Sequence, residues 1–166
     1  TSQKLEFNFF CFFEKTFGEY PWQKDGYKLV ESPYEGMEHQ SAIAYGNGYK
    51  NGNFPFDYII LHETAHEWWG NSITASDLAD VWLQEGFATY SEALFVESTQ
   101  GYNAYIRYML FYRIFVQNKW PVVGPTGFRY FYYKNSDCYQ KGAWVLHTLR
   151  YLINDDSVFF NIIQTY

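Results

Sequence analysis

His62-Glu63-Thr64-Ala65-His66, followed after eighteen intervening residues by Glu85 in Trp82-Leu83-Gln84-Glu85-Gly86, restricts this chain more than any other feature. Residues four apart lie on nearly the same face of a helix, so His62 and His66 can aim ring nitrogens at one point only if the segment is helical. A second element must then bring Glu85 to that point. Zinc accepts neutral imidazole and carboxylate at about 2.0 to 2.2 Å, and a catalytic site keeps its fourth position for a water whose pKa falls to about 7. Glu63, beside the first histidine, is placed to take that water's proton. The alternative is a surface helix with two satisfied histidines, and the pairing with Glu85 argues against it.

The rest of the composition sets bounds. With 48% hydrophobic residues, 166 residues suffice for one domain with a sizeable core, and the chain reads as soluble and globular. It contains no apolar run long enough to span a membrane, and Thr1-Ser2-Gln3-Lys4 lacks the features of a secretory signal. Its compartment is left open. The net charge of −6 disfavours nucleic acid as a partner and mildly favours cationic ligands, such as the free amino terminus of a peptide. Cys11 and Cys138 are too few for a disulfide framework and are expected to be buried thiols. The 17 Tyr, 16 Phe and 6 Trp are expected mostly in the core.

Along the chain, residues 4–17 predict a helix stopped by Gly18, and 27–31 and 41–45 predict short strands flanking Pro33 and Gly36. The metal helix is expected over 55–69, with Pro55 in its first turn, Asp57 at its positive end and both histidines near its middle. Further helices are expected over 81–97, 102–117 and 139–151, with a Pro/Gly-punctuated loop over 120–137 and a final apolar segment over 158–163. This divides into a helix plus small sheet (1–54) and a helical zinc-binding lobe (55–166). Both ends read as unfinished, as in a piece of a larger protein whose flanking domains contact these surfaces.

Glu92, seven residues after Glu85, falls on the same helical face. Metal-bound histidines usually donate their second N–H to a carboxylate or carbonyl, so Glu92 is a candidate to receive it, against plain solvation. Glu67 and Asn71 are weaker candidates, and Thr64 is expected to pack or bond along its own helix.

The extended pattern, with His66-Glu67-Trp68-Trp69-Gly70-Asn71 and Glu85-Gly86-Phe87-Ala88 around the ligands, resembles the aminopeptidase N-like zinc metallopeptidases, a family that includes leukotriene hydrolase. The resemblance covers most of the chain. It implies a thermolysin-like α+β catalytic domain, a small sheet followed by a mainly helical lobe. One Zn2+ would be held by His62, His66 and Glu85, with Glu63 as general base. Gly36-Met37-Glu38-His39 is similar to the family's exopeptidase signature, which implies that Glu38 grips the substrate's α-amino group, with Gly36 and Met37 beside it. Glu35 stands where the first Gly is usual, and His39 replaces the usual Asn. Tyr139-Gln140-Lys141-Gly142 resembles the segment carrying the catalytic tyrosine, implying that Tyr139 stabilises the oxyanion. In the family the preceding domain often adds a second acidic contact to the α-amine. The implied function is an aminopeptidase acting on peptides with a free N-terminus. A zinc endopeptidase, a hydrolase of non-peptide substrates, and a noncatalytic peptide-binding module with a retained metal site are the alternatives.

Overall fold

A computed structural model describes residues 2–51, 54–127 and 136–166, with side chains from Phe9 onward in the first helix. Helix α1 (Ser2–Phe17) leads into strands β1 (Leu29–Glu31), β2 (Gly36–Met37) and β3 (Ile43–Tyr45). Among the described residues five helices follow: α2 (Tyr58–Ala65), α3 (Trp82–Gln100), α4 (Tyr102–Arg113), α5 (Asp137–Ile153) and α6 (Asp156–Thr165). A single 3-10 turn, Leu78–Asp80, precedes α3. The architecture is α+β.

Strand β3 is central, parallel to β1 (Leu29 opposite Ile43) and antiparallel to β2 (Gly36 opposite Tyr45). The two outer strands are half exposed, whereas all three residues of β3 are buried. The short strands expected over 27–31 and 41–45 correspond to β1 and β3. The two-residue β2 has too short a pattern to be read from sequence.

Six of the eight residues of helix α2 are buried, as expected of a helix enclosed on several sides. It lies between the sheet and α1 on one side and α3 on the other. Asp57 is its N-cap, accepting from the Ile59 N–H at 3.1 Å, an arrangement worth about 1 kcal/mol. The helix is therefore shorter than the expected 55–69. Pro55 and Phe56 lie before the cap, and His66 is the C-cap rather than a mid-helix residue. Beyond it, Glu67 and Trp68 N–H groups bond three residues back, to Thr64 and Ala65 carbonyls, so the chain tightens instead of propagating the helix.

Phe9, Phe13 and Phe17, on one stripe of α1, are buried. The Phe9 ring meets Phe95 edge-on at 4.9 Å, and Phe13 meets Trp68 at 5.5 Å. Trp69 stacks on Phe87 at 4.0 Å, joining the end of the α2 turn to α3. Cys11, half a turn from the Phe9–Phe13 stripe, is exposed, which corrects the expectation of two buried thiols; Cys138 is buried as expected. Helix α4 ends at Arg113, short of the expected 117, because the following segment is bound by Asp137 instead. Of the expected 120–137 loop, residues 128–135 lie outside the described residues. No helix among the described residues is long and apolar enough to cross a membrane.

Candidate metal centre and substrate pocket

His62, in the last turn of α2, and His66, at its cap, bring their Nε2 atoms to 3.2 Å from each other. Glu85, in the first turn of α3, places Oε2 3.3 Å from each of them. The three atoms thus form a nearly equilateral triangle. Ligands of a tetrahedral ion with bonds of about 2.0–2.1 Å stand about 3.3–3.4 Å apart, so one face of such a tetrahedron fits this donor set.

The other ring nitrogens fix the tautomers. His62 Nδ1 lies 2.9 Å from Glu92 Oε1, and His66 Nδ1 lies 2.8 Å from the Trp69 carbonyl oxygen. A carbonyl only accepts, and an ionised carboxylate does too, so each Nδ1 carries the proton and each Nε2 presents a lone pair to the triangle. Three acceptors facing one another call for a cation between them. Burial disfavours the His62 imidazolium, yet the Glu85 and Glu92 carboxylates outweigh it and set its pKa well above 6.5, so a proton and a metal ion compete for the Nε2 position and the carboxylates favour a positive charge there in either form. Glu85 is likewise disfavoured as an anion by burial, but the two histidines hold its carboxyl far below the usual range.

Glu63 projects from α2 into the same cavity, which measures about 600 Å³. Its Oε2 is buried and has no hydrogen-bond partner among the described residues. Burial raises its pKa, with His62 and His66 pulling the other way. Strand β2 passes so close that a Cβ on Gly36 would lie 2.5 Å from Glu63 Oε1. Glu38, just after β2, brings a carboxylate oxygen within 4.8 Å of ligand atoms of Glu63 and His66. Met37 is exposed and lines the cavity mouth. His39 is also exposed; its backbone closes a turn, donating to the Met37 carbonyl at 2.9 Å.

Tyr139, in the first turn of α5, lines the cavity with its ring 6.2 Å from that of His62. Burial, then the nearby Glu85 charge, push its phenol far above 10, so it is a hydrogen-bond donor at any physiological pH. Helices α3 and α5 cross at Gly86 and Gly142, where a Cβ on either would meet the other's Cα at 3.0 or 2.9 Å. That close approach lets Glu85 and Tyr139 share one cavity.

The structure thus brings together His62, Glu63, His66, Glu85, Glu38, Met37, Gly36 and Tyr139, with Glu92 behind His62. Glu67 faces away from the cavity. It is fully buried and accepts from the Ser41 N–H at 2.8 Å and the Tyr20 hydroxyl at 3.1 Å, tying the turn after β2 to the metal helix. Thr64 bonds the Ile60 carbonyl at 2.5 Å, along its own helix. Leu78, Val81, Gln84, Ser136 and Cys138 also line the cavity and carry no signal in sequence beyond proximity to the motifs. Tyr108 and Tyr112, which bond Glu92, likewise carry none.

Residues 3–124 match the model of the peptidase family M1 domain. The chain is 32% identical over 83 residues to human aminopeptidase B, covering 48% of this chain and 12% of that protein. Against human endoplasmic reticulum aminopeptidase 2 it is 30% identical over 116 residues, covering 64% of this chain and 12% of that one. The structure superposes on an M1 zinc metallopeptidase mutant from Deinococcus radiodurans bound to a Tyr-Ser-Ala substrate. The TM-score is 0.78 at 28% identity, over 96% of this chain and 35% of the other. Native yeast leukotriene A4 hydrolase shares the fold, with a TM-score of 0.83 at 24% identity over 96% of this chain and 28% of that one.

Proposed function

The chain belongs to peptidase family M1, and on that premise we propose that it carries the catalytic centre of a zinc aminopeptidase, which removes the N-terminal residue from peptides. It spans only 12% of the length of human aminopeptidase B and of human endoplasmic reticulum aminopeptidase 2, so substrates and partners of the whole protein are part of the same proposal. The observation that carries it is the donor triangle of His62 Nε2, His66 Nε2 and Glu85 Oε2, with edges of 3.2, 3.3 and 3.3 Å.

These three residues would hold one Zn2+. When bound, the ion supplies a Lewis acid and lowers the pKa of a water at its open position. Glu63, whose Oε2 has no hydrogen-bond partner among the described residues, takes the proton of the attacking water and delivers it to the leaving amine. Tyr139 donates its hydroxyl proton in a hydrogen bond to the carbonyl oxygen as negative charge develops there. Glu38 pairs with the free α-amino group, and Gly36 and Met37 flank the terminal residue. The α-nitrogen and carbonyl carbon of one residue are about 2.5 Å apart. An amine held at Glu38, within 4.8 Å of the Glu63 and His66 atoms, therefore leaves room for one residue before the scissile bond. Glu92 holds the His62 ring by its Nδ1–H.

The test is metal analysis of the full-length protein together with a panel of aminoacyl reporters and their N-blocked counterparts. One zinc per chain, hydrolysis of the free-amine reporters, and loss of hydrolysis but not of zinc in Glu63→Gln are expected. A zinc-loaded wild type inert on every reporter would instead favour a peptide-binding module. Equal cleavage of N-blocked substrates would favour an endopeptidase.

A further inference from the structure

Glu92 uses its two carboxylate oxygens differently. Oε1 accepts from His62 Nδ1 at 2.9 Å, while Oε2 accepts from the Tyr108 hydroxyl at 2.6 Å and from the Tyr112 hydroxyl. The two tyrosines stand four residues apart on α4, one above the other, with hydroxyl oxygens 2.9 Å apart. Three short contacts are thus served by two hydroxyl protons. A carboxylate only accepts, so the arrangement that satisfies Oε2 sends both protons to it.

The setting makes this costly to disturb. Glu92 is 2% exposed, Tyr108 6% and Tyr112 7%. A buried carboxylate with one oxygen unsatisfied loses far more than an exposed one, and one held at a single oxygen can swing about its side-chain torsions. Two hydroxyls on one oxygen remove that freedom and point the other at α2. Three helices meet in this chain of contacts, α4 through the tyrosines, α3 through Glu92 and α2 through His62.

The geometry points to Tyr108 and Tyr112 as positioning residues of the metal site: by saturating Glu92 Oε2 they lock Oε1 onto His62 Nδ1–H and aim His62 Nε2 into the donor triangle. This rests on the assignment of His62, His66 and Glu85 as zinc ligands. Partners of this kind typically change metal affinity by about ten- to a hundredfold when removed.

The test is zinc affinity of the full-length protein by competition with a fluorescent chelator, for wild type, Tyr108→Phe, Tyr112→Phe and the double variant. Tyr105→Phe is the control. It removes an equally buried hydroxyl from the same helix, one that bonds Tyr90 and His147 rather than Glu92. Unfolding of the zinc-free proteins is measured alongside. The double variant is expected to lose about ten- to a hundredfold in zinc affinity, the single variants less, and Tyr105→Phe nothing. Should the double variant fail to fold, the single variants carry the comparison. Unchanged affinity in the tyrosine variants, or an equal loss in Tyr105→Phe, would overturn the inference while leaving the zinc assignment standing. A wild type that binds no zinc would overturn the assignment itself, and the inference with it.

Discussion

Gly86 of α3 and Gly142 of α5 touch backbone to backbone: a Cβ on Gly142 would lie 2.9 Å from the Gly86 Cα and 3.4 Å from the Trp82 carbonyl oxygen. Glu85 precedes one glycine by a residue and Tyr139 precedes the other by a turn, so the spacing of the two helices sets the spacing of the two functional side chains. Alanine in place of a mid-helix glycine normally stabilises by about 1 kcal/mol. At Gly142 the overpacking, about 1–3 kcal/mol, opposes that gain and forces the helices apart. Gly142→Ala is expected to lower kcat by at least about tenfold, since small misplacements of catalytic groups are costly, with KM little changed. Steady-state kinetics beside metal analysis check this; a fully active Gly142→Ala would mean that the helix spacing does not set the site.

Tyr139 offers a cleaner cut. Its phenol stays protonated because burial and the Glu85 charge oppose the phenolate, so its contribution is a donated hydrogen bond rather than a negative charge. Removing one oxyanion donor typically costs about 10²–10³ in kcat. Tyr139→Phe should show that loss with zinc content and KM near wild type. A large rise in KM without a fall in kcat would assign Tyr139 to substrate binding instead.

Much of the site was legible because its parts are local. The four-residue step between His62 and His66 demands a helix, and Glu85 and Glu92 share a face of the next one by simple periodicity. What was not legible depends on how distant segments meet. The α2 helix ends at His66 because the chain tightens onto the Trp69–Phe87 stack, a contact no local pattern encodes. Strand β2 is two residues long and exists only by pairing with β3. Gly86 and Gly142 interrupt otherwise helical patterns, a signal of close approach, but nothing in sequence says that they approach each other. Tyr108 and Tyr112 were two tyrosines among 17.

The role proposed for Glu38 is what would separate an exopeptidase from an endopeptidase at the same metal. If its carboxylate binds the α-amine, Glu38→Ala removes a charge-assisted contact worth about 1.5–3 kcal/mol, which predicts a loss in kcat/KM of roughly ten- to a hundredfold on free-amine substrates. N-acetylated substrates, lacking the charge, should gain relative to free ones. The ratio of the two activities is the measurement, and a ratio unchanged by the substitution would sink the assignment.

Asp137 opens α5 two residues before Tyr139 and lashes the chain after α4 to it. Its Oδ1 accepts from the Gln117 and Asn118 N–H groups at 2.8 and 3.1 Å, and its Oδ2 from those of Lys119 and Trp120 at 2.9 and 3.5 Å. Burial works against the charged carboxylate, but these four donors outweigh it and hold its pKa below the usual value. A carboxyl whose pKa is depressed on folding adds stability above its unfolded pKa of about 3.9 and loses it as pH falls through the lower folded value. Asp137→Asn keeps one acceptor and turns an NH2 toward donors, at a cost of about 1–3 kcal/mol. Relative to wild type, the variant should be destabilised in full at pH 7, and the gap should close in acid as the wild-type carboxyl is protonated. Denaturant unfolding of the zinc-free proteins across that range excludes any contribution from acid release of metal. A gap independent of pH would show that the amide loses only shape at this position, and that the charge of Asp137 does not anchor the start of the helix carrying Tyr139.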